Sequence, residues 1–332
     1  MKYQNIIDNM TLKEKAAFLS GKSEWQTRDF PRLDIPAIFC SDGPNGVRKQ
    51  AGAGDHLGIN PAVPATCFPT AAAMANSWDE ELEQRVGVAL GEESMEEDVN
   101  VLLGPGLNIK RNPLCGRNFE YFSEDPYLSG KMAAAFIRGV QSTGAAACAK
   151  HFAVNSQELR RMAMNAVVDE RTLREIYLTG FEIAIKEGIT DWGASNDHSL
   201  GVKNGSTLEM PTPGLDAARE LLASVESGKI SEKDIDERVD ELLDLVLTTT
   251  ENAKHYKKVA DKKALHEEHH KLARLACENS AVLLKNEDGI LPVGAKVQAA
   301  VIGDFAFDPR YQGAGSSMVN STKVDSIKDM LK

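Results

Sequence analysis

The amino-acid sequence predicts an α/β fold of the (β/α)8-barrel type. Short apolar runs of strand length alternate with amphipathic helical stretches as far as residue 188, which is the pattern of parallel strands covered by helices. Polar residues directly follow three of these runs, in "IFCSDGPNG", "NVLLGPGLN" and "AACAKHFAVN". Because functional side chains of barrels lie at the carboxyl ends of the strands, this placement favours a barrel over the alternative, a doubly wound sheet.

Capping residues mark where helices are expected to begin. Thr11 and Glu14 have the spacing of a capping box, in which a hydroxyl and a carboxylate each satisfy a backbone amide. Ser77 and Glu80 have the same spacing and predict the start of another helix. Ser231 precedes a long helical stretch and predicts its N-cap.

The chain divides into three predicted segments. Residues 1–250 are expected to form a barrel-like domain, 251–270 a lysine-rich linker or solvated helix, and 271–332 the beginning of a second α/β domain. In the first segment "RTLREIYLTGFEIAIKEG" predicts an amphipathic helix. In the last, "KLARLACENSAVLL" predicts a helix and "VQAAVIGDFAF" a strand, too few elements for a complete domain.

Composition and charge exclude several classes of protein. The 332 residues, 42% of them hydrophobic, are enough for a sizeable core and more than one domain. A net charge of -11 disfavours a nucleic-acid partner. No stretch approaches the ~18 apolar residues of a membrane span and no signal-peptide core is present, which predicts a cytoplasmic protein. Five widely spaced cysteines predict reduced thiols, and no cofactor is expected.

The residues after the apolar runs are candidates for a binding site. Asp42 precedes a Gly-Pro turn, where it either faces a pocket or merely caps the turn. Lys150 and His151 follow a strand and can engage one ligand only where the strand has ended, because neighbouring strand residues point to opposite faces. Arg117 and Glu120 share a charged, aromatic loop that is explained equally well by an ion-pair network or a site.

Two further motifs are interpreted as unrelated to function. "HEEHH" places His266 and His270 at the spacing of a zinc-binding helix with Glu267 as a base. Its alternating charges indicate an exposed helix instead, and no third ligand stands out. "YQGAGSS", at 311–317, lacks the lysine of a phosphate loop and is interpreted as a glycine-rich surface loop.

Five ordered motifs together resemble glycoside hydrolase family 3, the group of β-glucosidases and related exo-glycosidases. They are "SDGPNGVR", "LLGPGLNIKRNPLCGRNFEYFSEDPYLSG", "AKHFAVNSQELRR", "VVDERTLREIYLTGFE" and "DWGAS" with "LEMP", and they run through nearly all the chain. The resemblance implies a (β/α)8-type barrel followed by an α/β sandwich domain. It also implies hydrolysis of terminal, non-reducing β-D-glucosyl residues with retention of anomeric configuration.

The resemblance also assigns roles to individual residues. Asp191 in "TDWG" is similar to the catalytic nucleophile, and Trp192 to the ring that stacks beside the sugar. The residues similar to those that grip the sugar hydroxyls are Asp42, Arg117, Lys150, His151 and Arg161. Their chemistry agrees, because charged donors and acceptors fix a polyol, and nearby cations are expected to keep Asp191 ionised. Glu120 is expected to be a structural partner of a nearby arginine or amide.

The chain departs from the family pattern in two places. Only Ile189 and Thr190 separate Gly188 from Asp191, where family members carry a strand-helix unit of about 30 residues. The general acid/base glutamate is unknown and expected beyond Lys332, although retaining hydrolysis needs two carboxyl groups about 5 to 5.5 Å apart.

We therefore expect a shortened β-glucosidase-like chain whose activity is impaired or lost, and the alternative is a non-catalytic sugar-binding module or inactive fragment. The expected partner is a β-glucoside or oligosaccharide substrate. Open strand edges also predict imperfect barrel closure or recruitment of another copy, a homo-oligomer.

Overall fold

The structure, a computed structural model, describes residues 1–52, 60–161, 163–188, 198–210, 214–294, 297–298, 300–315 and 317–331. Helices predominate. They are α1 (Gln4–Ile7), α2 (Leu12–Phe18), α3 (Ala71–Met74), α4 (Glu80–Glu96), α5 (Pro126–Ser142), α6 (Glu170–Thr172), α7 (Thr179–Gly188), α8 (His198–Lys203), α9 (Asp216–Glu226), α10 (Glu232–His255), α11 (Lys262–Asn279) and α12 (Ile327–Met330). A π-helical turn, Leu173–Tyr177, lies between α6 and α7.

The strands are short. They are β1 (Cys40–Asp42), β2 (Pro64–Ala65), β3 (Val101–Leu103), β4 (Ala146–Ala147) and β5 (Asn320–Ser321). The first, third and fourth form a parallel sheet in the order β1-β3-β4, with Cys40 opposite Val101 and Val101 opposite Ala146. β2 pairs in parallel with β5. The parallel strands predicted from the apolar runs are therefore present.

Successive residues of the three-stranded sheet enter two different apolar clusters. Val101 packs with residues of α2 and α10, whereas Leu102 packs with residues of α4 and α5. This alternation is the two-residue period of a strand that is buried on both faces. It explains why the strand sequences are continuously apolar.

Glycines allow α4 and α5 to approach closely. A Cβ atom added to Gly139 of α5 would overlap the backbone oxygen of Gln84 and approach Gly87 Cα to 2.8 Å. Both glycines are in α-helices and do not need a positive φ, so their role is to make room. α5 also packs against α7, which buries Phe181 and Ala184.

Two of the three predicted helix caps are confirmed. Thr11 and Glu14 form the capping box of α2, and Ser231 caps α10 together with Asp234. The cap predicted at Ser77 is wrong.

Asp79 caps α4 instead, and its Oδ1 accepts a 2.9 Å hydrogen bond from Leu82 N. Ser77 ends a 3-10 turn, and its hydroxyl donates to Met74 O at 2.7 Å. A side chain committed to the preceding turn is no longer available to the new helix.

Helix α11 is not fully solvated. It begins at Lys262 and buries His269, Ala273 and Ala276, and the two alanines pack with residues of α3 and α4. The interpretation of this region as an exposed charged helix is therefore wrong for one of its faces.

The strand predicted in "VQAAVIGDFAF" is absent from the described part of 297–307, where a 3-10 turn spans Asp304–Ala306. Ile302 is 92% exposed, and the described residues provide no neighbouring strand to satisfy its backbone.

All five cysteines are free thiols, as predicted. No helix within the described ranges has the length and apolar character that a bilayer crossing would require.

Candidate functional site

The predicted sugar-binding residues come together where the parallel strands end. Asp42 is the last residue of β1. Lys150 follows β4 and forms a parallel bridge with Gly106, in the loop after β3. Lys150 N donates to Pro105 O at 2.9 Å and Leu107 N donates to Lys150 O at 2.8 Å. The backbone of the loop after β3 thus holds Lys150, which lies in the segment after β4.

Lys150 lies between two buried carboxylates. Its ammonium contacts Asp42 Oδ1 in a short ion pair and lies 3.9 Å from Glu120 Oε2. Glu120 is only 1% exposed, so its carboxylate needs a cationic partner such as Lys150. A cation shared by two buried acids is held in a defined position.

Arg117 extends the same charged cluster. Its Nε donates to Glu120 Oε1 in a short ion pair, as expected of Glu120 as an arginine partner. Burial alone would lower the pKa of Arg117, but the hydrogen bond and charge of Glu120 outweigh it and raise that pKa. The guanidinium therefore stays charged, and it is oriented by a carboxylate on its own loop.

His151 is the neutral member of the cluster. Burial lowers its pKa well below the usual 6.5, and the charges of Lys150, Arg117 and Arg161 lower it further. Arg117 Nη2 lies 2.8 Å from His151 Nε2, which fits an imidazole that accepts at Nε2 and carries its proton on Nδ1. Nδ1 is then able to donate to Tyr121 Oη, 3.2 Å away.

Asn108 holds the backbone of His151 and was missed by the sequence analysis. Its Oδ1 accepts from His151 N at 2.6 Å, and its Nδ2 donates to His151 O at 2.7 Å and to Ala153 O at 3.0 Å. The signal was its place in "GPGLNI", directly after a strand. An asparagine is able to bond both polar groups of one peptide segment at once.

Two other residues of the site were also missed. Asn155 Nδ2 donates to Tyr121 Oη at 3.0 Å and so supports the hydroxyl beside His151. Arg48 is buried, and its backbone N donates to Asp42 O at 2.9 Å. It lies in "SDGPNGVR", where the sequence alone gave it no role.

The remaining predicted residues are less closely integrated. Arg161 is half exposed, lies 3.5 Å from Glu158 and adds to the positive field at His151. Asp191 and Trp192, the predicted nucleophile and stacking ring, lie outside the described residues.

Gly313, in the glycine-rich segment 311–317, and Val319 lie close to this site. A Cβ on Gly313 would overlap the ring of Phe119, which neighbours Glu120. Val319 contacts the loop after Asp42, where a Cβ on Gly46 would come within 2.6 Å of Val319 Cγ2. The segment interpreted as a surface loop, 311–317, is therefore packed at Gly313 against the loop that carries Glu120, and Val319 just after it packs against the loop that follows Asp42.

The imidazoles of "HEEHH" are engaged with carboxylates. His266 Nδ1 lies 3.3 Å from Glu93 Oε1, and His270 Nε2 lies 2.9 Å from Asp325 Oδ2. No group of three or more His, Cys, Asp or Glu residues in the described ranges is arranged to hold a metal ion.

Comparison with known proteins identifies the relatives of this chain. The sequence model for the "Glycosyl hydrolase family 3 N terminal domain" matches residues 12–193. "Thermostable beta-glucosidase B" of Acetivibrio thermocellus is 46% identical, over 99% of this chain and 48% of the relative. "Exo-alpha-(1->6)-L-arabinopyranosidase" of Bifidobacterium breve is 38% identical, over 98% of this chain and 48% of the relative.

Solved structures agree with the sequence relatives. Beta-glucosidase 3B from Thermotoga neapolitana, in complex with glycerol, superposes with a TM-score of 0.88 at 32% identity. The match covers 99% of this chain and 54% of that one. The predicted barrel-type α/β fold is thereby confirmed. The chain spans about half the length of the relatives it matches, and it belongs to glycosyl hydrolase family 3.

Proposed function

We propose that the chain carries the sugar-binding part of a β-glucosidase-like glycoside hydrolase, and that it holds a terminal, non-reducing β-D-glucosyl residue. The observation that carries this proposal is the contact of Lys150 with Asp42 and of Arg117 with His151, around the buried Glu120. These groups come from three different segments: the end of β1, the loop after β3 and the segment after β4. Their convergence supports a common ligand better than three unrelated structural roles.

The chemistry of the cluster suits a polyol. Asp42 is able to accept hydrogen bonds from two hydroxyls, while Lys150 and Arg117 donate to hydroxyl oxygens. A neutral His151 is able to donate or accept according to its tautomer. Trp192 is proposed to stack against the sugar ring, and Arg161 to add a donor at the rim.

Asp191 is proposed as the nucleophile of a retaining mechanism. In such a mechanism its carboxylate attacks the anomeric carbon while a second carboxyl group protonates the leaving oxygen, about 5 to 5.5 Å from the first. No residue of this chain is assigned to the second group. We propose that the activity of the chain is impaired or lost through an internal shortening, and the alternative is a non-catalytic sugar-binding module or an inactive fragment.

Internal shortening is proposed to contribute to this loss. The alignment with the Acetivibrio thermocellus relative runs over 367 positions, more than the 332 residues of this chain, so some positions have no residue here. We place the missing unit between Gly188 and Asp191, where the family resemblance leaves a strand and a helix without a counterpart. A catalytic carboxylate without its supporting strand loses the fixed geometry that catalysis needs.

Chromophore release from an aryl β-D-glucoside tests the enzymatic form of the proposal. Release that is abolished by Asp191→Asn would support catalysis, whereas glucose binding without release would support the binding module. An aryl α-L-arabinopyranoside is included because one relative is named for that substrate. A variant that carries the strand-helix unit of the Acetivibrio thermocellus relative, inserted after Gly188, is expected to release more chromophore than the parent chain.

The remaining parts of the proposal concern partners and location. We propose that the chain acts in the cytoplasm, without nucleic acid, and that its open strand edge favours association with another copy. Sedimentation velocity at several protein concentrations tests the association, and a monomer at all concentrations would contradict it.

A further inference from the structure

A charged histidine joins α11 to α4. His269 Nδ1 lies 2.7 Å from Glu93 Oε1, and His269 Nε2 lies 2.9 Å from Glu92 Oε2. Glu93 is 1% exposed and His269 is 6% exposed, whereas Glu92 is half exposed. A carboxylate buried this deeply needs a counter-charge.

The titration of both groups agrees with an ion pair. Burial would raise the pKa of Glu93, but its hydrogen bonds with His266, His269 and Thr66 hold it at about 2. Burial would lower the pKa of His269, but Glu92 and Glu93 raise it to about 9. At neutral pH a positive imidazolium therefore faces a negative carboxylate.

Other charged groups surround this pair. His266 on α11 lies 3.3 Å from Glu93 Oε1. Glu96 of α4, Glu97 just after it and Lys262 of α11 line the same small cavity as Glu93 and His266. The ring of Phe68 also lies beside His269, with 6.4 Å between the two ring centroids. Acidic groups predominate, so Glu93 depends on its two imidazole neighbours, of which His269 is the nearer to Glu93 Oε1.

The second oxygen of Glu93 fixes a segment that supports the candidate site. Glu93 Oε2 accepts from Thr66 N at 2.9 Å, in the segment 64–68 that begins with β2. A Cβ on Gly46 would approach Thr66 O to 2.6 Å, and Phe68 N donates to Asn45 O at 2.8 Å. Segment 64–68 is therefore packed against the loop 43–46.

Loop 43–46 in turn orients Asp42. Gly43 adopts a φ of +151°, and its N donates to Asp42 Oδ1 at 3.1 Å. The same oxygen of Asp42 contacts Lys150. Consecutive contacts thus lead from His269, through Glu93 and Thr66, to the carboxylate that we propose binds sugar.

We propose that the Glu93–His269 pair is a positioning unit for the sugar site, a role that rests on the proposed function of that site. Without the imidazolium, the Glu93 carboxylate is a buried charge that keeps only the more distant His266 as an imidazole neighbour. It then moves toward water, which weakens its bond to Thr66 N. Loop 43–46 loses its support, and Asp42 is held less firmly against Lys150.

Three variants separate this role from general stability. His269→Gln removes the positive charge. His270→Gln is the matched control, because it is the same substitution on the next residue, which contacts Asp325 and not Glu93. Glu93→Gln is the conservative variant, because its amide oxygen is still able to accept from Thr66 N while its amide nitrogen donates to a neutral His269.

Two measurements are made on each variant: calorimetric titration with D-glucose, and amide hydrogen exchange in segments 43–50 and 64–68. We expect His269→Gln to weaken glucose binding by about tenfold and to speed exchange in both segments, with His270→Gln unchanged in both. In the parent chain glucose affinity is expected to fall as the pH passes 9. In Glu93→Gln the glucose affinity is expected to stay near the parental value at pH 7 and to fall less than in the parent above pH 9. Lys150 is present in both proteins, so any effect of its own titration on glucose binding is common to both.

The outcomes are distinguishable from those that test the proposed function. If the parent chain binds no glucose, the proposed function is wrong, and the positioning role is decided by hydrogen exchange alone. If the parent chain binds glucose, the positioning role requires that His269→Gln both weakens glucose binding and speeds exchange in segments 43–50 and 64–68. Equal exchange in the His269 and His270 variants would overturn the proposal, as would equal glucose affinity.

Discussion

The Lys150 ammonium contacts the Asp42 carboxylate although the two residues are 108 positions apart in the sequence. Asp42 ends β1 and Lys150 follows β4, with β3 between the two strands. Parallel strands all end at one edge of a sheet, so residues distant in sequence meet there. The contact is therefore a consequence of the barrel-type topology, and it places a cation and an acid at the edge where barrels bind ligands.

His151 is expected to remain neutral at pH 6. Burial lowers its pKa, as do the charges of Lys150, Arg117 and Arg161. Folding therefore disfavours protonation of His151. The stability associated with the neutral imidazole is lost as the pH falls below the pKa of His151 in the unfolded chain, about 6.5. Imidazole nitrogen shifts measured by NMR report the protonation state directly.

Removal of the Arg117 charge serves as the internal comparison for this titration. Arg117→Met is expected to raise the pKa of His151, because one of its three neighbouring cations is gone while the burial of the imidazole is largely kept. An imidazole that titrates normally near 6.5 in the parent chain would contradict the burial and charge that the structure assigns to His151.

Glu83 is expected to make the protein less stable as the pH rises. Burial of this α4 side chain, 2% exposed, raises its pKa to about 8. Between about 4.5 and 8 the unfolded chain releases a proton that the folded chain retains, so the free energy of unfolding falls across this window. Glu83→Gln removes the penalty.

Urea denaturation at pH 5 and pH 8 measures this effect. Glu83→Gln is expected to gain stability relative to the parent as the pH increases between these values. Glu81→Gln, an exposed position on the same helix, is the matched control and should show no such gain. A Glu83→Gln variant that follows the parent at both pH values would show that the carboxyl is ionised without penalty.

Gly139→Ala is expected to destabilise the contact between α4 and α5. The new methyl group would overlap the backbone oxygen of Gln84, and backbone atoms are unable to rotate away. Overpacking of this kind costs about 1 to 3 kcal/mol in the free energy of unfolding. Gly116→Ala, where nothing lies within 4 Å of the added atom, should be close to neutral in the same denaturation experiment.

The sequence contained enough information to predict the strands of the sheet and most of the helix caps. Apolar runs before "SDG", "GPG" and "AKH" predicted β1, β3 and β4, because a buried parallel strand requires a continuous apolar sequence. Ser77 was wrong because capping-box spacing also occurs where the serine bonds its own preceding turn. The strand near Ile302 failed because strand formation depends on a neighbour, which the local sequence does not specify.

The candidate site was predicted less completely than the sheet. Charged residues such as Lys150 and Arg117 are conspicuous in a sequence, whereas Asn108 acts through the backbone of His151 and carries no charge to draw attention. The buried position of His269 was hidden because its helix has alternating charges. Only the packing against α4 distinguishes it from the solvated residues of the same helix.

A calorimetric titration of the protein with D-glucose, in parallel with Lys150→Met and Lys131→Met, tests the proposed sugar site most directly. Lys131 lies on α5 and pairs with Glu187, so it controls for loss of a lysine away from the site. We expect saturable binding at one site, weakened at least about tenfold by Lys150→Met and unchanged by Lys131→Met. No binding, or equal affinity in the two variants, would contradict the claim that Asp42, Lys150, Arg117 and His151 form a sugar site.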